Sequence, residues 1–407
     1  MCCYEVTDDM RKFLRDFGGR TAEFLQRFGS VILAFTMGVL LAVAVVLVLT
    51  VRDGTDKLEQ LQKLIEDRFV EDVDETKLQD AAADAMVDAL GDRWSRYLTA
   101  EEYKANEEAM NNAYVGVGIT ISPQEDPTGY LIQKVAENGP AAQAGILPGD
   151  ILVAADGVRA GEVGLDELKA AVKGEKGTTV SLTVLRDSTE LAFEVMRDTV
   201  LVEVASAVML EDRIGLVAIS GFEKRCAVET LAAIQEMLDQ GAEGLIFDVR
   251  FNPGGYTTEL IEVLDYLLPE GPVFRTESYT GETHVDYSDA NCLELPMAVL
   301  VNGSSYSAAE FFAAALQEYQ AATIVGEKTC GKGYYQNTFR FSDGSGVVLS
   351  TGKYFTPEGH SLIGVGVTPD VEIAVDDETE AGIYAGTLDP MEDPQILAAI
   401  DAIKSGN

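Results

Sequence analysis

Histidine and cysteine are scarce in this chain of 407 residues, which contains two histidines and five cysteines. The two histidines, His284 and His360, argue against a zinc cluster, and no cysteine spacing resembles a metal site. They also argue against a Ser/His/Asp triad, whose base would have to be one of these two residues. We therefore expect no metal and no organic cofactor.

Basic residues are also few, with 30 Lys and Arg against 68 Asp and Glu, which gives a formal net charge of −38. Such an acidic surface repels nucleic acid and anionic lipid headgroups, so we expect neither as a partner. The acidity indicates a well-solvated protein and says nothing more about its chemistry.

Charged residues are absent from residues 30–51, which form a continuous apolar run. As a helix, a run of this length crosses the ~30 Å hydrocarbon core of a bilayer. A buried core helix is the alternative, but the uniform apolarity close to the N-terminus favours a membrane anchor. No small-x-small cleavage site follows the run, which predicts an uncleaved signal anchor preceded by residues 1–29. Slightly more basic residues precede the run than follow it closely, a weak positive-inside signal for a cytoplasmic N-terminus.

Two regions of different pattern follow the apolar run. Residues 52–112 carry apolar side chains at helical spacing, as in LEQLQKLIEDRF, and are predicted to be a helical region. Residues 113–198 are predicted to be a β-rich unit, because VGVGITIS alternates glycine with apolar residues and VSLTVLR has a period of two. A short helix is predicted in GPAAQAG, between these strands.

Residues 199–375 alternate strand-like and helix-like segments. Strands are predicted at residues 214–219 and 244–249, and helices at residues 227–240 and 256–268. This alternation predicts an α/β layered core with a partly parallel sheet, and therefore a multidomain α/β protein. The NPGG turn at the carboxyl end of the second strand lies where such sheets place their ligand sites.

The remaining residues, 376–407, form an acidic tail that ends in a predicted helix. Asp393 is its expected cap, Pro394 its first residue and Gly406 its end.

The first candidate catalytic residue is Ser307, in the segment NGSSYSAAE of residues 302–310. The segment joins a strand-like run at residues 297–301 to a helix-like run at residues 308–319, so it places a serine at a helix N-terminus. The unpaired N–H groups and partial positive charge there can stabilise an alkoxide or an oxyanion. Taken alone, however, a serine at this position is most often just an N-cap.

The second candidate is Lys332, in the segment GEKTCGKG of residues 326–333. A lysine acts as a base only if burial or a nearby positive dipole lowers its pKa, and no acidic residue nearer in sequence than Glu327 would oppose this. The segment nearly spells a P-loop, but Gly333 stands where a metal-binding Ser or Thr is needed, and a strand-like run follows instead of a helix. Nucleotide binding is therefore excluded.

These two segments, together with DVRFNPGG at residues 248–255, resemble the carboxyl-terminal processing (tail-specific) proteases of the S41 serine peptidase family. The resemblance implies that Ser307 is the nucleophile, that Lys332 is its base and that Gln336 orients the lysine. It also implies an oxyanion hole formed by the N–H groups of Gly254 and Ala308, with the choice between Gly254 and Gly255 left open.

Residues 113–198 resemble a PDZ domain. The resemblance implies that backbone N–H groups of the loop Gly116, Val117, Gly118 and Ile119 bind the terminal carboxylate of a peptide. The peptide would then pair as an added strand beside residues 119–122, against a helix predicted at residues 166–172. The implied function is capture of the C-terminal tail of a protein substrate.

Two single residues and one further segment also bear on the resemblance. Cys330 stands where the family usually has an aromatic residue; we interpret it as packing, with sensitivity to oxidation as the alternative. His360 has no usual counterpart and is interpreted as structural. Residues 89–103 resemble a segment that helps dimer arms to associate, which allows a homodimer, and a plain helical spacer is the alternative.

The sequence thus predicts a membrane-anchored serine endopeptidase with a Ser307/Lys332 dyad and no cofactor. The family places the domains after residue 51 outside the cytoplasm, on a single-pass anchor in the cell membrane. The principal alternative is an inactive PDZ scaffold on a peptidase fold, which the presence of Ser307, Lys332 and Gln336 opposes. A second alternative, an acidic membrane-tethered structural protein, leaves the three motifs as accidents.

Overall fold

The computed structural model describes residues 35, 37–41, 57–123 and 128–406. Most of the predicted anchor at residues 30–51 lies outside these ranges, as do residues 1–29. Within the described ranges no helix is both long and apolar enough to cross a membrane. The chain divides into two units, residues 1–82 and residues 83–407.

Helices and strands alternate along most of the described chain. The α-helices are α1 (Lys57–Arg68), α2 (Glu75–Asp88), α3 (Ala100–Met110), α4 (Pro140–Ala144), α5 (Leu165–Val172), α6 (Cys226–Asp239), α7 (Thr257–Leu267), α8 (Ala308–Glu318), α9 (Asp377–Ala385) and α10 (Pro394–Ser405). The strands of the first half are β1 (Arg96–Leu98), β2 (Ala113–Gly116), β3 (Ile119–Ser122), β4 (Tyr130–Val135), β5 (Ile151–Ala155), β6 (Val158–Arg159), β7 (Thr179–Arg186), β8 (Thr189–Met196) and β9 (Asp198–Leu201). Those of the second half are β10 (Ala205–Met209), β11 (Ile214–Ile219), β12 (Gly244–Asp248), β13 (Gly271–Ser278), β14 (Thr283–Ser288), β15 (Met297–Val301), β16 (Ala322–Gly326), β17 (Tyr334–Arg340), β18 (Gly346–Phe355) and β19 (Val371–Glu372).

The helical prediction for residues 52–112 is confirmed at α1, α2 and α3 but is wrong between α2 and α3. There the Asp92 carboxylate accepts hydrogen bonds from the N–H of Trp94 (3.2 Å) and the hydroxyl of Ser95 (2.6 Å), which turns the chain. Strand β1 then pairs antiparallel with β18, with Tyr97 opposite Val347. Local side-chain hydrogen bonds of this kind compete with helix formation, so a plain helical spacer is excluded.

The predicted β-rich unit is an antiparallel sheet of order β3-β4-β5-β7-β8, in which β6 also pairs with β5. Strand β2 pairs separately with β9. The predicted helices are confirmed as α4 and α5, and α5 contributes Leu168 to a core shared with Ile132, Leu152 and Leu182. Strand β3 is at the edge of the sheet, so only one of its sides is paired.

The central sheet of the larger core has the order β10-β11-β12-β15-β16-β19. All neighbours from β11 to β19 are parallel and only β10 is antiparallel, which confirms the partly parallel α/β prediction. Its strands are apolar on both faces, as parallel strands covered by helices require. Leu245 and Phe247 pack with α6, α7 and α8, whereas Ile246 between them packs with α10 on the opposite face.

A second sheet of the core is antiparallel, of order β1-β18-β13-β14, with β17 paired to β18. The hairpin of β17 and β18 turns at Asp343 and Gly344, with Arg340 opposite Gly346, as the sequence predicts.

The final helix, α10, also begins and ends as predicted. The Asp393 side chain caps it by accepting the N–H of Gln395 (2.9 Å), and the helix packs on the central sheet. Its cap is bound to the core, because the buried guanidinium of Arg250 pairs with Asp393 (2.7 Å) and Asp248 (2.6 Å). These ion pairs hold the carboxyl end of β12, just before the NPGG turn, to the start of α10.

Candidate active site

Three turns meet at the carboxyl edge of the central sheet, following β12, β15 and β16. Since the carboxyl ends of parallel strands lie at one edge, these turns are neighbours although they are far apart in sequence. They line a pocket of about 770 Å³. Its lining includes five of the residues named from the sequence, Gly254, Gly255, Ser307, Lys332 and Gln336.

Ser307 immediately precedes α8 and has φ 58° and ψ −125°. A positive φ is costly for a residue other than glycine, and such strained positions are concentrated at functional sites. The turn that holds Ser307 in this conformation is closely packed, and Ser307 itself is only 7% exposed.

The turn that carries Ser307 is tied to the turn after β12 by buried side chains. The Asn302 side-chain oxygen accepts the N–H of Phe251 (3.0 Å). The Ser305 hydroxyl donates to the carbonyl of Val249 (2.7 Å) and accepts the N–H of Asn302 (3.0 Å). These bonds fix the backbone of the serine turn against its neighbour.

Glu310 links the two candidate catalytic turns and was not predicted to belong to the site. Its carboxylate is fully buried, and Oε2 accepts the N–H of Ser307 (3.0 Å) and the N–H of Lys332 (2.8 Å). Oε1 accepts the hydroxyl of Thr329 (2.6 Å) and the N–H of Gly331 (2.6 Å). Burial raises the pKa of Glu310, and these four hydrogen bonds oppose that rise. One side chain thus fixes the backbones of both candidate catalytic residues.

The sequence contained a signal for this contact. Serine followed three residues later by glutamate is the capping-box pattern, in which the glutamate accepts the backbone N–H of the N-cap residue. Its three further bonds, from Thr329, Gly331 and Lys332 of the lysine turn, depend on the fold and have no local sequence signal.

Lys332 is largely buried, and its amine lies near two aromatic rings. Burial lowers the pKa of its amine to about 8, and the positive charge of Arg96 adds to the decrease. Its Nζ lies 4.6 Å from the ring centroid of Trp94 and 5.5 Å from that of Tyr306. Within the described residues, this amine forms no hydrogen bond to Ser307 or Gln336.

Trp94 was not identified from the sequence as part of the site. It reaches Lys332 only because the turn at Asp92 and the pairing of β1 with β18 bring residues 92–98 to the pocket.

Gln336 is on β17 and lines the same pocket. Its amide Nε2 donates to the carbonyl of Tyr334 (3.0 Å) and the hydroxyl of Ser350 (3.1 Å). The role of orienting Lys332 therefore stays a prediction.

The NPGG turn passes very close to the start of α8. Gly254 has φ 91°, and a Cβ on it would lie 2.8 Å from the Ser307 Cβ and 2.9 Å from the Ala308 nitrogen, so only glycine fits. Its N–H donates to the Asn252 side-chain oxygen (2.8 Å). The N–H of Gly255 makes no hydrogen bond in the part of the chain that the structure describes. The oxyanion hole stays a prediction, with Gly254 against the serine turn and Gly255 in the lining of the same pocket.

The predicted peptide-binding loop joins β2 to β3. Gly116 ends β2, Ile119 begins β3, and Gly118 between them has φ 80°. Val117 lies in the core of the unit. Since β3 is an edge strand, its unpaired side can accept another strand. Binding of a carboxylate by the four loop residues remains a prediction.

Cys330 lies beside the lysine turn, where its Sγ is 3.3 Å from Nη2 of Arg93. It is a free thiol of intermediate exposure. The packing interpretation of Cys330 stays a prediction.

Comparison with sequence families gives three matches. They are "Peptidase family S41" over residues 213–373, "PDZ domain" over residues 115–196 and "Activating protease CtpB N-terminal domain" over residues 47–102. The first covers the central sheet from β11 to β19 and the three turns, and the second covers the antiparallel unit.

Individual proteins give a consistent picture. A carboxyl-terminal-processing protease of Synechocystis sp. is 33% identical over 333 residues, which are 80% of this chain and 77% of that protein. A probable CtpA-like serine protease of Staphylococcus aureus is 30% identical over 328 residues, which are 80% of this chain but 66% of the relative's length. A putative S41 protease from Bacteroides fragilis has the same fold, with a TM-score of 0.51, 15% identity and coverage of 86% of this chain and 97% of that one.

Proposed function

Because the chain belongs to peptidase family S41, we propose that it is a serine endopeptidase in which Ser307 is the nucleophile and Lys332 the general base. The observation that carries the proposal is the pairing of two unusual residues in one pocket. One is a serine with strained backbone at a helix N-terminus, and the other is a lysine whose pKa burial lowers to about 8. A lysine with an ordinary pKa near 10.4 would be almost wholly protonated at neutral pH and could not accept a proton.

The proposed reaction is acyl transfer. Neutral Lys332 accepts the hydroxyl proton of Ser307 as its oxygen attacks the carbonyl carbon of a peptide bond. The tetrahedral oxyanion is stabilised by the N–H of Ala308 and by that of Gly254 or Gly255. Protonated Lys332 then gives its proton to the leaving amine, and water releases the acyl group from the serine by the same steps in reverse.

Attack requires the lysine amine to reach the serine hydroxyl. The two backbones are already fixed by Glu310, so rotation about the side-chain bonds of Lys332 away from Trp94 is the movement that remains. Substrate in the pocket would favour this movement by displacing water.

Substrates are proposed to be proteins recognised by their C-terminal tails. The loop from Gly116 to Ile119 would bind the tail carboxylate, and the tail would pair with the free side of β3 beside α5. The apolar core side chains around this groove favour a tail with an apolar last residue.

The location of the enzyme is proposed from the apolar run at residues 30–51. A single helix there would hold the chain in the cell membrane, with the peptidase core outside the cytoplasm. Protein substrates of that compartment or of the membrane surface would then be within reach.

The experiment is cleavage of an unstructured protein with an apolar C-terminal residue by the full chain in detergent. We expect cleavage that is lost in Ser307→Ala and kept in the matched variant Ser304→Ala, because Ser304 is exposed in the same motif. We also expect a substrate with an amidated C-terminus to be cut about tenfold more slowly, because it lacks the carboxylate.

Each arm can fail separately. Equal cleavage of free and amidated substrates would contradict tail capture. Cleavage that persists in Ser307→Ala would contradict the proposed nucleophile.

A further inference from the structure

Three side chains of the kinds that bind metals form a cluster at the carboxyl end of α8, outside the pocket. It consists of Glu318, Glu358 and His360, and one ligand atom from each lies within 4.8 Å of the others. His360 Nδ1 is 2.9 Å from Oε1 of Glu318 and 3.9 Å from Oε2 of Glu358. We propose that these three side chains form a binding site for one Zn²⁺ ion.

The distances suit a small tetrahedral ion. Zinc ligands lie at about 2.0–2.2 Å, so atoms at the corners of the tetrahedron are about 3.3 Å apart. The two measured distances fall on either side of that value, so small rotations of the exposed Glu358 and His360 would complete the site. One imidazole and two carboxylates leave a fourth position for water, and the nitrogen donor favours Zn²⁺ over Ca²⁺ and Mg²⁺, which prefer oxygen.

The Glu318 carboxylate and the backbone that carries the other two ligands are held in place before any ion binds. Oε2 of Glu318 accepts the backbone N–H of Glu358 (2.8 Å), which leaves Oε1 towards His360, and only 15% of the Glu318 side chain is exposed. The backbone N–H of His360 donates to the Thr356 hydroxyl (3.0 Å), and its carbonyl accepts the Thr356 N–H (3.0 Å). Two ligands thus belong to a closed turn, and the third comes from the helix that the turn contacts.

The position of the site suggests what the ion would do. Helix α8 starts directly after Ser307 and ends at Glu318. The turn at His360 continues into a segment that packs behind the lysine turn, where the Gly364 N–H donates to the Gly331 carbonyl (2.9 Å) and the Val367 N–H to the Thr329 hydroxyl (2.7 Å). A zinc ion would therefore cross-link the helix of the nucleophile to the segment that supports the base.

Sequence patterns could not have shown this site. Glu318 and His360 are 42 residues apart, and the scarcity of histidine argued against a zinc cluster. A site with a single histidine escapes that argument, because its other ligands are carboxylates, which this chain has in excess.

The test is zinc binding by the full chain after chelator treatment, measured by equilibrium dialysis and metal analysis. We expect wild type to bind one equivalent of Zn²⁺ more than His360→Gln. The control is His284→Gln, which removes the other histidine, also exposed and beside a single carboxylate (3.1 Å to Asp286), and should bind as wild type does.

Melting temperature provides a second readout. It should rise with Zn²⁺ concentration in wild type and in His284→Gln but not in His360→Gln, because an ion that binds only the folded state stabilises it. Equal zinc content in wild type and His360→Gln would overturn the proposal, whether both values are zero or reflect binding by cysteines. Neither readout depends on peptidase activity, so the proposed function can fail without affecting this result.

Discussion

The two sides of the active-site pocket are held in different ways. On the serine side the backbone is fixed by buried polar groups, among them Asn302, Ser305 and Glu310, and Ser307 has a strained conformation. On the lysine side the backbone is fixed by the same Glu310, but the amine lies against the rings of Trp94 and Tyr306. The polar side defines positions. On the lysine side, burial lowers the pKa of the amine, and no hydrogen bond within the described residues ties the amine to Ser307 or Gln336.

The two sides would meet different requirements of the proposed Ser/Lys dyad. A nucleophile needs a precise position, because a displacement of about 1 Å can cost a hundredfold in rate. A lysine base needs above all to be neutral, and desolvation lowers its pKa without any specific partner. Glu310 connects the two sides, so a substitution there tests the positioning of both turns. A substitution at Arg96 tests the proton affinity of Lys332, and one at Cys330 tests a neighbour without a role in either.

The largest effect is expected for Glu310→Gln. The amide has one acceptor oxygen for the four donors that face the carboxylate, so buried donors lose partners at about 1–3 kcal/mol each. We expect the free energy of unfolding to fall by about 3 kcal/mol and kcat/KM to fall about a hundredfold. Denaturant titration and the peptide-cleavage assay measure the two quantities.

The matched control is Glu262→Gln, which makes the same change at an exposed position of α7. It should leave both quantities nearly unchanged. Wild-type activity in Glu310→Gln would show that the connection between the two turns has no role in catalysis.

A smaller effect is expected for Arg96→Gln. The positive charge of Arg96 helps to lower the pKa of Lys332, so its removal raises that pKa and reduces the neutral fraction of lysine at pH 7. We expect a pH–rate profile displaced to higher pH by roughly half a unit, and activity at pH 7 about threefold lower with little change at pH 10. Lys104→Gln, which removes an exposed charge on the neighbouring helix α3, should not move the profile. A displacement to lower pH would contradict the charge argument.

The smallest effect is expected for Cys330→Ser. The Cys330 thiol contacts Arg93 at the rim of the lysine turn and has no step in the proposed reaction. Activity should stay within about twofold of wild type, as for most partly exposed substitutions away from buried contacts. A tenfold loss in Cys330→Ser would contradict this expectation. Activity in Cys330→Ser that resists an oxidant which inactivates wild type would favour the oxidation hypothesis instead of packing.

Local patterns predicted the elements of the fold well. Strand β15 and the capped helix α10 agree with the sequence to the residue, since each has a clear apolar pattern and clear boundaries. The helical prediction for the segment between α2 and α3 was wrong, because the conformation of that segment depends on pairing with β18, some 250 residues later in the chain.

The same distinction applies to the site. Ser307, Lys332 and Gln336 were found as motifs and do line one pocket. Trp94 could not be found, because its contact with Lys332 is made by tertiary structure alone. The choice between Gly254 and Gly255 stays open: the Gly254 N–H donates to the Asn252 side chain, and both glycines line the pocket.

The most direct test of the dyad is the pH dependence of kcat/KM for wild type and Lys332→Arg, with one unstructured substrate and the full chain. Below its pKa Lys332 is mostly protonated, so wild-type activity should rise about tenfold per pH unit and level off above a midpoint near 8. Lys332→Arg should be inactive throughout, because arginine stays protonated at every pH used. A wild-type profile that is flat from pH 6 to pH 10, or retained activity in Lys332→Arg, would contradict the assignment of Lys332 as the base.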